Sequence, residues 1–94
     1  MGSGGGPGAP RSILLRPRAL EDLAYWVEHD RKVAGRILAL IEDARRDPFG
    51  GRGKPEPLKH LGPDVWSRRI TQEARLVYRV SDAHVDVLQA RYHY

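Results

Sequence analysis

The sequence predicts an α+β domain: a two-helix hairpin packed on one face of a curved, mostly antiparallel β-sheet. Three observations lead there. A short apolar run, Ser12-Ile13-Leu14-Leu15, is stopped by Pro17. Apolar residues then recur at helical spacing as far as Ala44. Beyond a stretch rich in glycine and proline, the period drops to two and stays there almost to the last residue. One strand, two helices and then a run of strands is the order of an α+β fold.

The elements follow from local chemistry. Ser12–Leu15 reads as a short first strand. From Arg18 the spacing of Leu20, Leu23, Ala24 and Val27 marks an amphipathic helix, with Tyr25 and Trp26 widening its apolar face. Glu21 and Asp22 suit the first turn of that helix, where the dipole favours acids. His29-Asp30 interrupts the pattern, and Asp30 is a good N-cap for a second helix. Val33, Ile37, Leu40, Ile41 and Ala44 share one face of it. This helix ends before Asp47-Pro48, because a residue preceding proline is pushed out of the α region. Gly35 inside it costs about 1 kcal/mol relative to alanine, and a close helix–helix approach would explain its presence. Residues 48–57 (PFGGRGKPEP) form a loop. Leu58–Leu61 is expected as a short strand, Gly62-Pro63-Asp64 as a turn and Val65–Thr71 as a strand. After Gln72-Glu73, Ala74–Val80 is the clearest strand, and His84–Arg91 is the last. Leu76, Tyr78 and Val80 point one way, towards the helices. Arg75, Val77 and Arg79 point the other way, so Arg69, Arg75, Arg79 and Lys59 are expected to face solvent as a groove for phosphates.

Composition narrows the function classes. The 94 residues make one domain, with residues 1–10 (MGSGGGPGAP) a flexible linker or cloning remnant and residues 11–94 the fold. Neither a signal peptide nor a membrane span is visible, and a cytoplasmic location is expected. No cysteine is present, which removes disulfides and thiolate metal sites. The formal charge is +4, unevenly spread: residues 11–47 carry eight basic and seven acidic side chains, residues 48–94 eight and five. Positive charge concentrated in the second half points to a polyanion such as RNA or DNA. The nearly balanced helices argue against a DNA-binding helix pair. Zinc-binding spacings, a phosphate-binding P-loop and a serine-hydrolase elbow are all missing, so no metal or other cofactor is expected.

Metal-independent RNA cleavage needs a base to take the 2′-OH proton, an acid to protonate the leaving 5′-oxygen, and cations at phosphorus. Glu56 is the one acid between Asp47 and Asp64, braced by Pro55 and Pro57, and is the candidate base. A simple ion pair with Lys54 or Lys59 is the plainer alternative. His93 is the candidate acid, since the carboxylate of Tyr94 one residue on favours the protonated imidazole. His29, His60 and His84 sit at turns or strand ends without an obvious partner.

Four ordered motifs then resemble one family. Gly53-Lys54-Pro55-Glu56-Pro57-Leu58-Lys59-His60, Trp66-Ser67-Arg68-Arg69-Ile70-Thr71, Arg75-Leu76-Val77-Tyr78 and Arg91-Tyr92-His93-Tyr94 are similar to the YoeB toxins of the RelE/ParE toxin–antitoxin superfamily. The Tyr25-Trp26 helix and the Arg45–Phe49 junction fit as well, so the resemblance spans about residues 12–94. It implies a microbial-ribonuclease-like, RelE-like fold and an endoribonuclease that cuts mRNA in the A site of the 70S ribosome. Its partners would be a YefM-like antitoxin and a second copy in a homodimer. It further implies Glu56 as general base, Arg75 as the phosphate-stabilising arginine, His93 as general acid and Tyr94 as the tyrosine shaping the site. Lys59 and Arg69 match positions near the scissile phosphate, and Lys54 and Arg79 extend the basic surface. Leu61-Gly62-Pro63-Asp64-Val65 departs from the family's Asn-Leu-x-Gly-aromatic stretch, which changes a turn and spares the acting side chains. The competing reading is a catalytically silent ParE-like or RNA-docking protein of the same fold.

Overall fold

The computed structural model describes residues 10–91. Strand β1 (Ser12–Leu15) leads into α1 (Pro17–His29) and α2 (Arg31–Arg46). Four strands follow: β2 (Glu56–Pro57), β3 (Val65–Arg69), β4 (Arg75–Val80) and β5 (His84–Gln89). The sheet order is β1-β5-β4-β3-β2. β1 runs parallel to β5, and every other pairing is antiparallel. The fold is therefore α+β, with the helix hairpin on one face of a mostly antiparallel sheet.

Asp30 alone joins the helices. Its N–H closes α1 on Trp26 O at 2.7 Å, and its Oδ1 accepts from Val33 N at 3.3 Å to cap α2. The expected face of α2 packs as read: Ile37, Leu40, Ile41 and Ala44 are buried against Leu76, Tyr78, Val80, Val85 and Val87 of the sheet. The expected face of α1 does not. Leu20 and Val27 are 56% and 49% exposed, and Ala24 is exposed too. The helix instead turns Ala19, Asp22, Leu23 and Trp26 inward. Ala19 permits close approach, while Asp22 and Trp26 both find polar partners at Ala90. Those partners outweigh a weakly apolar stripe. Because α1 begins at Pro17, Glu21 and Asp22 lie beyond its first turn and do not serve its dipole.

Three further expectations are corrected. Leu58–Leu61 is not a strand. Lys59–Leu61 forms a 3-10 turn, closed by Leu61 N–H on Leu58 O at 2.9 Å and Gly62 N–H on Lys59 O at 3.2 Å. The strand pairing comes earlier, at Glu56–Pro57, where Pro57 lies on an edge strand, the place a sheet tolerates a missing N–H. Gly35 lies on the exposed side of α2, and a Cβ there would meet nothing within 4 Å, so no helix approach requires it. β3, β4 and β5 each end or begin one or two residues inside the expected spans. Of the expected leader, residues 1–9 lie outside the described residues.

Candidate nucleic-acid cleavage site

The face opposite the helices is built by strand register. Glu56 stands across from Ser67, Arg69 across from Arg75, Ser67 across from Val77 and Val65 across from Arg79. Alternation along each strand puts these side chains on the same side. Leu58, Val65 and Val77, with Leu88 against them, form a small apolar floor there. The floor matters electrostatically, because charges above an apolar layer are less screened than charges in open water.

Glu56 and Arg75 meet at this surface. Arg75 Nη1 lies 3.7 Å from Glu56 Oε1, an ion contact longer than a hydrogen bond. The Glu56 side chain is exposed, whereas that of Arg75 is only 13% exposed. The alternative pairing of Glu56 with Lys54 or Lys59 is thereby replaced by Arg75. So is the expectation that Arg75 faces solvent freely: its stem is buried, and its Nε has no hydrogen-bond partner among the described residues. A buried N–H without a partner leaves donor capacity for an incoming oxygen.

The other basic candidates separate. Arg69 is exposed at the end of β3, directly opposite Arg75. Lys59 is exposed on the 3-10 turn and lines an open groove of about 330 Å³ with Pro57, Pro63 and Trp66. Lys54 is exposed in the loop before β2, in the left-handed conformation at φ 51°. Arg79 lies at the far end of β4, four residues or about 13 Å from Arg75, and across from Asp86. His93 and Tyr94 lie outside the described residues.

Not every arginine in the basic half is available to a ligand. Arg68, adjacent to Arg69, points to the helix side and is 0% exposed. Its Nε donates to Tyr78 OH at 3.0 Å, Nη1 to Arg52 O at 2.8 Å and Nη2 to Asp47 O at 2.7 Å. Tyr78 OH donates onward to Pro48 O at 2.7 Å, and burial pushes its phenol above its ordinary pKa. Arg52 is bound to Asp43, and its hydrogen bonds hold that carboxyl down at about 2. These two cations organise the loop that delivers Glu56. Gly53 shows how tightly: at φ +88°, a Cβ there would lie 3.0 Å from both Arg68 Cβ and Leu40 Cδ2.

Sequence reasoning missed Ser67, which is 0% exposed and across from Glu56, with an Oγ that has no hydrogen-bond partner among the described residues. The period-two alternation with Arg69 was the available signal. His29 also has a partner after all: its Nδ1–H donates to Tyr25 O at 2.8 Å, and its ring stacks on Tyr25.

Comparison with known proteins decides the family. The model for the YoeB-like toxin of bacterial type II toxin–antitoxin systems matches residues 15–94. This chain belongs to the YoeB toxin family. It is 54% identical over 84 residues to toxin RelK of Mycobacterium tuberculosis, covering 89% of this chain and 99% of that protein. It is 53% identical over 82 residues to toxin YoeB of Escherichia coli K12, covering 87% and 98%. Among solved structures, a YoeB/ParE toxin from Agrobacterium tumefaciens superposes with a TM-score of 0.83 at 41% identity, covering 88% of this chain and 99% of that one. The YoeB dimer of Staphylococcus aureus also gives 0.83, at 39% identity with 92% and 100% covered. A heterotetrameric S. aureus YoeB–YefM toxin–antitoxin complex gives 0.78 at 40% identity, with the same coverage. The family places the chain among toxins of type II toxin–antitoxin systems.

Proposed function

We propose that this YoeB-family toxin is a ribosome-dependent endoribonuclease that cuts mRNA in the ribosomal A site and so blocks translation. The observation that carries the reading is the contact of an exposed carboxylate, Glu56, with an arginine, Arg75, on a basic sheet face. In the proposed reaction Glu56 takes the proton from the 2′-OH. The 2′-oxygen then forms a bond to phosphorus as the bond to the 5′-oxygen breaks. Arg75, with Arg69 opposite and Lys59 and Lys54 nearby in sequence, stabilises the charge building on the phosphoryl oxygens. His93 delivers a proton to the leaving 5′-oxygen, and Tyr94 closes the site. The products are a 2′,3′-cyclic phosphate and a 5′-hydroxyl.

The solved S. aureus complex supports a YefM-like antitoxin as partner, and the S. aureus dimer supports a second copy of the chain. The exposed Leu20, Ala24 and Val27 of α1 leave an apolar face open to either. The working place of such a protein is the cytoplasm.

The test is cleavage of mRNA on programmed ribosomes, mapped by primer extension. A cut at one defined A-site position is expected. Glu56→Gln should lower its rate about 10²-fold or more, as removal of a general base does, without lowering the melting temperature. An mRNA lacking the 2′-OH at the cut site should resist. Cleavage of that deoxy substrate, or full activity in Glu56→Gln, refutes the mechanism. Translation arrest without any cut would favour the silent binder instead.

A further inference from the structure

Helix α1 grips the segment that leaves the last strand. The ladder of β5 stops at Gln89, across from Val77. Ala90 follows, buried at 1% exposure and beyond the last residue of the β5 ladder among the described residues. Two side chains of α1 supply the partners. The carboxylate of Asp22, itself buried, accepts from Ala90 N–H at 2.9 Å. Trp26 Nε1–H donates to Ala90 O at 2.9 Å. One helix thus satisfies both the donor and the acceptor of a single residue, which fixes its position and its orientation. The next residue is held as well. The Arg91 guanidinium carbon lies 3.4 Å from the centroid of the Tyr25 ring, a cation–π contact. The His29 imidazole stacks on that same ring at 4.1 Å.

This arrangement also explains the rotation of α1. Asp22, Tyr25, Trp26 and His29 fall at i, i+3, i+4 and i+7, a stripe in its own right. The helix presents it at the cost of leaving Leu20 and Val27 in water. A buried carboxylate spent on a backbone N–H at a strand end is unusual if that end only needs to be soluble, because such ends ordinarily fray.

We infer that Asp22, Tyr25 and Trp26 are positioning residues for the reaction. They hold the chain at Ala90 and Arg91, so that the residues beyond start from one place and direction. A chain extends at most about 3.6 Å per residue, so fixing one residue limits how far the backbone of those just after it can stray. The inference rests on the proposed role of His93 as the acid, and it assigns the accuracy of that acid to α1, a different element from the loop that carries Glu56.

The experiment separates the clamp from the acid. The whole protein is assayed on programmed ribosomes with two mRNAs, one normal and one with the 5′-bridging oxygen at the cut site replaced by sulfur. A thiolate leaves without a proton, so the second substrate does not need an acid. Trp26→Phe keeps an aromatic ring against the core but loses the N–H together with part of the indole's bulk. It should lower kcat on the normal substrate about 10- to 100-fold, the scale of a misplaced catalytic group. KM should be unchanged, and the sulfur substrate should be cut at the wild-type rate. Tyr25→Leu should behave in the same way, and Tyr25→Phe should restore full activity because the ring face remains. This second pair carries the test if Trp26→Phe melts below the assay temperature. Equal losses on both substrates, or no loss on either, overturn the clamp. His93→Gln is run alongside. If sulfur rescues His93→Gln but not the α1 variants, the clamp alone is wrong. If sulfur fails to rescue His93→Gln, the acid reading is wrong and the clamp falls with it.

Discussion

Two neighbouring arginines, chemically identical and adjacent in sequence, should respond in opposite ways to the same substitution. Arg68 is fully buried and donates to Tyr78 OH, Arg52 O and Asp47 O at 2.7–3.0 Å. Arg68→Met keeps an apolar stem of similar length and removes all three bonds. Bonds from a charged donor contribute about 1.5–3 kcal/mol each, a gross loss on the order of 5–9 kcal/mol. Removing the guanidinium also abolishes its desolvation cost, which offsets several kcal/mol of that loss. The balance is a destabilisation of about 2–4 kcal/mol. For a domain of this size, each kcal/mol moves the melting temperature by about 4–8 °C, so a fall on the order of 10–25 °C is expected. Arg69→Met, on the exposed side of the same strand, should shift it by no more than about 2 °C and should instead weaken cleavage. Thermal melts followed by circular dichroism, with cleavage measured well below each midpoint, give both readouts. If Arg68→Met melts within about 2 °C of the parent, the three bonds contribute nothing net and the account of the Asp47–Gly53 loop fails. If Arg69→Met melts as low as Arg68→Met, the assignment of the two faces fails.

Two further outcomes follow from the same geometry. Gly35→Ala places a methyl in open space on an exposed helix face, so it should stabilise the protein by about 0.5–1 kcal/mol in urea denaturation; destabilisation would mean a neighbour occupies that space. Asp43 is held at about 2, chiefly by the side-chain hydrogen bonds of Arg52, below its ordinary value near 4. A lowered carboxylate contributes stability above its unfolded pKa and loses it as pH falls through the folded one, so the contribution should fade between about pH 4 and pH 2. With Arg52 largely exposed, solvent screening limits it to about 1 kcal/mol. Asp43→Asn should therefore be less stable than the parent at neutral pH, with the difference shrinking towards zero as pH falls through about 2, and a constant difference across that window would contradict the pairing.

Much of the fold was legible because its signals are local. Pro17 and Pro48 bound elements by fixing the backbone near them. Asp30 caps α2 through a bond to a residue three positions away. The face of α2 could be read because its apolar residues outnumber any competing stripe. α1 misled for the opposite reason. It carries two overlapping stripes, one weakly apolar and one built of Asp22, Tyr25, Trp26 and His29, and spacing cannot say which turns inward. The residue types around the site were likewise legible from charge and alternation. Their partners were not, since Glu56 meets Arg75 across two strand pairings, 19 positions away in sequence.

The sequence by itself determined the order of elements, the capped helix hairpin, the alternating strands and the YoeB-like set of residues. Each of these rests on neighbours within a few positions or on the order of motifs along the chain. Tertiary structure decided which way α1 rolls, which of Arg68 and Arg69 disappears into the interior, and that the carboxylate of Glu56 faces a guanidinium instead of a lysine. Those outcomes depend on groups brought together from 10 to 68 positions apart, such as Arg68 with Tyr78 OH and Ala90 with Asp22. Whether a buried polar group finds such a partner is what separates a stable interior position from a prohibitive one.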